Sequence, residues 1–174
     1  MDGFGTMREK LDIKILILFI LRRLPGTVSE SRLSEYVTGD GTVGYFEYAE
    51  CLAELVDSAH IERTAEGCRI TGKGDRNCET VESTLPYSIR SRVEKKIAPY
   101  AEVLRRQALI KAEHTAAKDG YHVALALSDG IGSIMEMKLV CGSEEHALTI
   151  EKNFRARAES YYTEFTEMLL KGEG

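Results

Sequence analysis

Gly39-x-Gly41-x-x-Gly44 is the first spacing in this chain that suggests chemistry, because glycines at those intervals can wrap backbone N–H groups around a pyrophosphate. Such a loop works between a strand and a helix, and the residues before Gly39 read as a helix. The three glycines are therefore expected to serve a turn by allowing positive φ. Thr71-Gly72-Lys73-Gly74 lacks the GxxxxGK[ST] spacing of a phosphate loop and reads as a helix cap. The histidines, His60, His114, His122 and His146, form no HExxH-like pair, and no serine or cysteine sits in a nucleophile setting. His114, His122 and Cys141 could hold a metal across adjacent strands, depending on a register that the sequence leaves open. No catalytic residue, metal or cofactor is expected, and an enzyme is the least supported class.

The stretch after the glycines carries more information. Residues 43 to 58 read as a helix with Tyr45, Tyr48, Ala49, Leu52, Leu55 and Val56 inward, continued by Ala59. Its opposite face collects Phe46, Glu47, Glu50, Glu54 and Asp57 and holds no lysine or arginine.

The flanking elements must position that helix. Residues 8 to 24, from Arg8, read as a first helix with an apolar surface at Leu11, Ile13, Leu16, Ile17, Ile20 and Leu24. Ile15, Leu18, Phe19 and Leu21 widen the surface, so this helix lies at the centre of its domain or meets a second subunit. Ser29 caps a second helix reaching about Val37, with Leu33, Tyr36 and Val37 inward. After the acidic helix, residues 61–64 and 68–70 around Ala65-Glu66-Gly67 read as a β-hairpin, and Thr71 caps a fourth helix reaching about Ser83.

Residues 87–111 form a long helical segment with a seam at Ile89, Val93, Ile97, Tyr100, Leu104 and Ala108, and Pro99 is expected to kink or break it. Two Asp-Gly pairs, Asp119-Gly120 and Asp129-Gly130, then divide three strands of about 110–118, 121–128 and 131–141. A last helix, 143–170, sets Ala147, Ile150, Phe154, Ala158, Tyr161, Phe165 and Met168 on one side. The expected fold class is α+β: a winged helix-turn-helix domain (1–86), a basic linker helix (87–109), and a three-stranded antiparallel meander covered by a long helix (110–174) for dimerisation or sensing.

The chain of 174 residues is 43% hydrophobic and carries a net charge of −5. The charge is unevenly spread, at −5 for residues 1–86, +5 for 87–112 and −5 for 113–174. The basic segment, with Arg90, Arg92, Lys95, Lys96, Arg105 and Arg106, reads first as a solvated face and second as a phosphate-contacting shoulder. The apolar run Ile15 to Leu21 is too short to span a bilayer. No signal peptide is evident and the four cysteines show no CxxC pairing, so a cytoplasmic location is expected.

Tyr45-Phe46 opening the third helix, Leu52-Ala53-Glu54-Leu55-Val56, Arg69-Ile70-Thr71-Gly72-Lys73-Gly74 and Leu85-Pro86-Tyr87-Ser88-Ile89-Arg90 stand in this order before a strand-rich tail and a long helix. In that order the chain resembles an uncharacterised bacterial winged-helix family catalogued as a domain of unknown function, and its first half is broadly similar to PadR-type and MarR-type transcriptional regulators. The resemblance implies a regulator that binds double-stranded DNA, works as a homodimer, and carries a C-terminal module for dimerisation or sensing; a pocket between the meander and the last helix would be the place for a small-molecule effector. It places Thr42, Tyr45, Phe46 and Glu47 near the major groove and Arg63 and Arg69 near phosphates or the minor groove. Arg32 and Lys73 join Arg8, Lys10 and Arg76 as further phosphate candidates. The acidic helix also admits a second reading, a protein-interaction adaptor docking on a basic partner.

Overall fold

Fourteen residues without glycine or proline, nine of them large and apolar, make Lys10–Arg23 a helix (α1) whose middle no single stripe describes. The computed structural model describes residues 10–172 and buries Ile13 and everything from Ile15 to Leu21. A helix apolar all round is a central helix, and α1 is the axis of the first of two compact units, residues 1–104 and 105–174. The expected start at Arg8 lies outside the described residues. Leu11, assigned inward, is exposed, because the buried surface of α1 begins two residues later at Ile13.

Around α1 pack α2 (Glu30–Thr38), α3 (Tyr45–Asp57) and α4 (Gly72–Val81). Strands β1 (Ile61–Thr64) and β2 (Gly67–Ile70) form an antiparallel hairpin pairing Ile61 with Ile70 and Thr64 with Gly67. Val28, between α1 and α2, exchanges two backbone hydrogen bonds of 2.8 Å with Cys68 and so adds one bridge to the hairpin. Thr71 caps α4 as expected, its hydroxyl accepting the Gly74 N–H at 3.1 Å. Of the three glycines before α3, only Gly41 has positive φ; Gly39 is needed because a Cβ there would strike the Glu35 carbonyl.

After a 3₁₀ turn, Glu82–Thr84, helix α5 (Tyr87–Ala108) buries Ile89, Val93, Ile97 and Ala101 in the first core. The seam differs from the expected one at its end, where Ala101 is buried and Ala108 exposed. The expected break at Pro99 does not occur, and the helix runs through it. Pro99 and Lys95 are both exposed, so water can meet the carbonyl that loses its N–H partner.

In the second unit β3 (Ile110–Ala117), β4 (Gly120–Ser128) and β5 (Ser133–Cys141) form an antiparallel meander in chain order. Their register places Ala112, Leu125 and Met137 in one row facing α6 (Glu144–Lys171). Ser143 caps α6 by accepting the His146 N–H at 3.3 Å. The helical geometry lapses inside α6 at Arg157 (φ −139, ψ 25), a departure with no proline or glycine to announce it. The described residues thus form a mixed α+β chain of six helices, a two-stranded sheet and a three-stranded sheet.

Ala59, closing α3, is the non-glycine residue with positive φ (57°) among the described residues. The left-handed region costs an L-residue about 1 kcal/mol, partly offset in a glycine variant by the entropy of a freer unfolded chain. Ala59→Gly is expected to stabilise the protein by about 0.5 kcal/mol. The check is a higher urea midpoint with an unchanged slope.

Candidate functional site

The N-terminal turn of α3 is the most exposed aromatic feature of the first unit. Tyr45 is 63% and Phe46 87% exposed, with ring centroids 6.1 Å apart. The sequence pattern assigned Tyr45 to the inward face; the buried residues are Tyr48, Cys51, Leu52 and Leu55. Packing against α1 rotates the buried arc toward Cys51, which leaves Tyr45 at its solvent edge. Asp40 shapes the approach to this turn, its carboxylate accepting the Thr42 N–H at 2.9 Å and the Thr42 hydroxyl at 2.6 Å. Those bonds hold the Asp40 carboxyl below the usual range against the opposing effect of its partial burial.

The acidic face of α3 is largely satisfied within the unit. Glu47 turns back to accept the Gly44 N–H at 3.2 Å, a capping contact that suits a carboxylate at a helix N-terminus. Glu50 pairs with Lys10, and Glu54 with Lys14 and more distantly Lys10. Lys14 was missed as a functional residue, yet Lys10/Lys14 and Glu50/Glu54 have the same spacing of four. Two matching stripes on neighbouring helices are a readable signal.

The expected basic residues are also engaged. Arg63 on β1 grips the Glu30 carboxylate at the start of α2 with two N–H groups and holds its pKa below the usual carboxylate range. Arg69 donates to Glu62 across the hairpin at 2.7 Å. The Arg32 guanidinium lies 4.1 Å from the ring centroid of Tyr100. Lys73 donates to the Ser58 carbonyl at 2.7 Å, at the C-terminal end of α3. Thirteen helical residues, about 20 Å, separate that end from Tyr45, so Lys73 stands apart from the aromatic tip. Thr42, Tyr45, Phe46 and Glu47 are brought together, while Arg63 and Arg69 lie on the hairpin. On α5, Arg92 pairs with Asp40 at 2.6 Å and Lys96 donates to the Glu35 carbonyl at 2.9 Å, so part of the basic segment is used in holding the unit together.

The proposed metal trio does not converge. His114 pairs with Val123 and faces α6, where it meets Glu151 at 2.6 Å, while His122 points to the opposite face and meets Asp119 at 2.8 Å. Neighbouring rows of a sheet alternate faces, which separates the two imidazoles. Among the described residues no group of three or more histidine, cysteine or acidic side chains could hold a metal. All four cysteines are free thiols, and burial pushes Cys78 up to about 12, far from a reactive thiolate. No helix among the described residues is long and apolar enough to cross a membrane.

No curated protein and no solved structure matches the chain. A family model does: the domain of unknown function DUF4364 matches residues 13–169. That span runs from α1 into the last turns of α6 and takes in both units, so the chain belongs to the DUF4364 family.

Proposed function

We propose that the first unit is a winged helix-turn-helix, broadly similar to those of PadR-type and MarR-type proteins, and that the chain is a cytoplasmic, homodimeric transcriptional regulator binding double-stranded DNA. Three helices, a hairpin and the Val28–Cys68 bridge beside it support the domain reading. The observation that carries the functional reading is the occupation of the carboxylates of α3. With Glu47 capping, Glu50 on Lys10 and Glu54 on Lys14, the helix meets a duplex with much of its negative charge offset, and Thr42, Tyr45 and Phe46 lead. Exposed ion pairs such as Arg63–Glu30 and Arg69–Glu62 are worth no more than about 1 kcal/mol, so DNA phosphates can compete for both arginines. Affinity is modest and strongly salt-dependent on this reading, because phosphate neutralisation supplies most of it.

Each phosphate contact contributes about 0.9 to the slope of log affinity against log salt. The Arg63→Ala, Arg69→Ala double variant is expected to bind its own upstream DNA more weakly, with a slope shallower by about 2 per protomer. Fluorescence anisotropy across a salt series measures both quantities. Wild-type protein that binds no duplex at low salt, or a double variant with unchanged slope, would overturn the reading.

The exposed Tyr45–Phe46 pair favours a second reading, an adaptor that seats these aromatics in a basic protein partner. Glu50→Lys separates the two, leaving the capping residue Glu47 intact. DNA affinity rises with it if the partner is a duplex, and adaptor function fails with it if the partner is a basic protein.

A further inference from the structure

The second unit covers only part of its sheet. Three strands at about 4.8 Å spacing make a face about 14 Å wide, and one helix is about 10 Å across. Helix α6 lies chiefly over β3 and β4. Met135, Met137 and Leu139 on β5 therefore form one wall of an open groove, with Phe154, Phe165 and Met168 of α6 as the other. Its volume is about 320 Å³, and Asn153 and Glu164 are its polar lining residues.

The helix is also longer than the sheet beneath it. Its 28 residues span about 42 Å, against about 30 Å for the nine-residue β5. Its last turn lies beyond the groove lining and is not polar: Leu169 is 69% and Leu170 81% exposed. Charges beside this ridge are already matched, Arg157 with Glu164 at 3.4 Å and Lys171 with Glu167 at 3.2 Å, so apolar contact there strands no unpaired ion of these four.

We infer that the occupant of the groove is α6 of a second copy, the two protomers related by a two-fold axis so that each overhanging ridge covers the other's β5. One chain carries both the slot and the ridge that fills it, the condition for an isologous dimer. At about 200 Å² for a large apolar side chain, the partly exposed groove and ridge residues offer roughly 500 Å² per protomer. That equals the apolar share of a stable interface burying about 800 Å² on each partner. The inference deepens the homodimer part of the proposed function and does not depend on DNA binding.

Sedimentation velocity of the full chain over a roughly hundredfold concentration range tests it. Wild type is expected at twice the 19.4 kDa chain mass. The ridge variant Leu169→Lys, Leu170→Lys alters exposed side chains of the last turn that do not line the groove, so its helicity is retained while the dimer weakens at least tenfold. Leu139→Lys on the groove wall weakens it likewise, whereas Val140→Lys, one residue on and facing the other side of the sheet, leaves it intact. Should Leu139→Lys lose helicity, the ridge variant decides alone. A ridge variant as dimeric as wild type, or dissociation by Val140→Lys only, overturns this seat while the homodimer reading stands; a monomeric wild type overturns both.

Discussion

Gly67→Ala is expected to lower the stability of the first unit by about 3 kcal/mol, the sum of overpacking and a disfavoured backbone. Gly67 opens β2 at φ 141°, and a Cβ there would run into the carbonyl of Val28 and the Cα of Ser29. Neither neighbour can yield freely, because Val28 is locked to Cys68 by its two backbone bonds and Ser29 begins α2. Relief requires the hairpin to lift from the α1–α2 connection, which displaces Arg63 and Arg69 together. For a unit of this size the loss corresponds to a melting point lower by roughly 15 °C. Circular dichroism at 222 nm follows it, with Gly26→Ala as the comparison. Gly26 has φ 89°, but a Cβ added there would meet nothing within 4 Å, so its variant bears only the backbone cost of about 1 kcal/mol. Equal effects at the two positions would show that the Val28 contact does not matter.

Glu82→Ala is expected to cost about 2–3 kcal/mol by stripping two half-buried guanidiniums of their shared partner. Arg22 and Arg23, at the C-terminal end of α1, donate to Glu82 at 3.2 Å and 3.0 Å, and Glu82 is only 18% exposed. Arg22 also reaches Asp75 on α4 and Arg23 reaches Glu94 on α5, so the cluster ties α4, α5 and the 3₁₀ turn between them to the axis of the unit. The remaining acids keep the loss below that of a fully buried pair. Hydrogen bonding from Arg23, aided by Arg22, holds the Glu82 carboxyl below the usual glutamate range. A carboxylate with a depressed folded pKa contributes stability that is present above its unfolded pKa and lost as pH falls through the folded value. The stability gap between wild type and Glu82→Gln should therefore be widest near neutral pH and close as pH drops below about 4.3. Urea midpoints taken at neutral and acidic pH measure it. A gap that is flat with pH would mean that Glu82 is held by geometry rather than charge.

Local physics was legible in the chain. Thr71 stands where a cap can accept an N–H, the hairpin follows from two short runs around the tight Ala65-Glu66-Gly67, and Asp119-Gly120 and Asp129-Gly130 mark the strand boundaries. Pro99 does not break α5, because a proline's effect depends on whether its orphaned carbonyl can reach water, a matter of exposure. Tyr45 misled because a helical wheel gives the spread of an apolar face, while its neighbours choose which edge is buried.

The amino-acid order by itself determined the mixed α+β character, the succession of elements, the all-round apolar α1 and the acidic stripe on α3, since each depends on residues within a few turns of one another. Tertiary structure decided which charges meet: Glu50 reaches Lys10, 40 residues away, and Arg63 reaches Glu30, 33 residues away. It also decided that His114 and His122 face apart and that α6 lies chiefly over β3 and β4. Electrostatic partnership and surface coverage depend on distance in space, and in this chain that distance is set by how helices and strands pack, not by their separation in sequence.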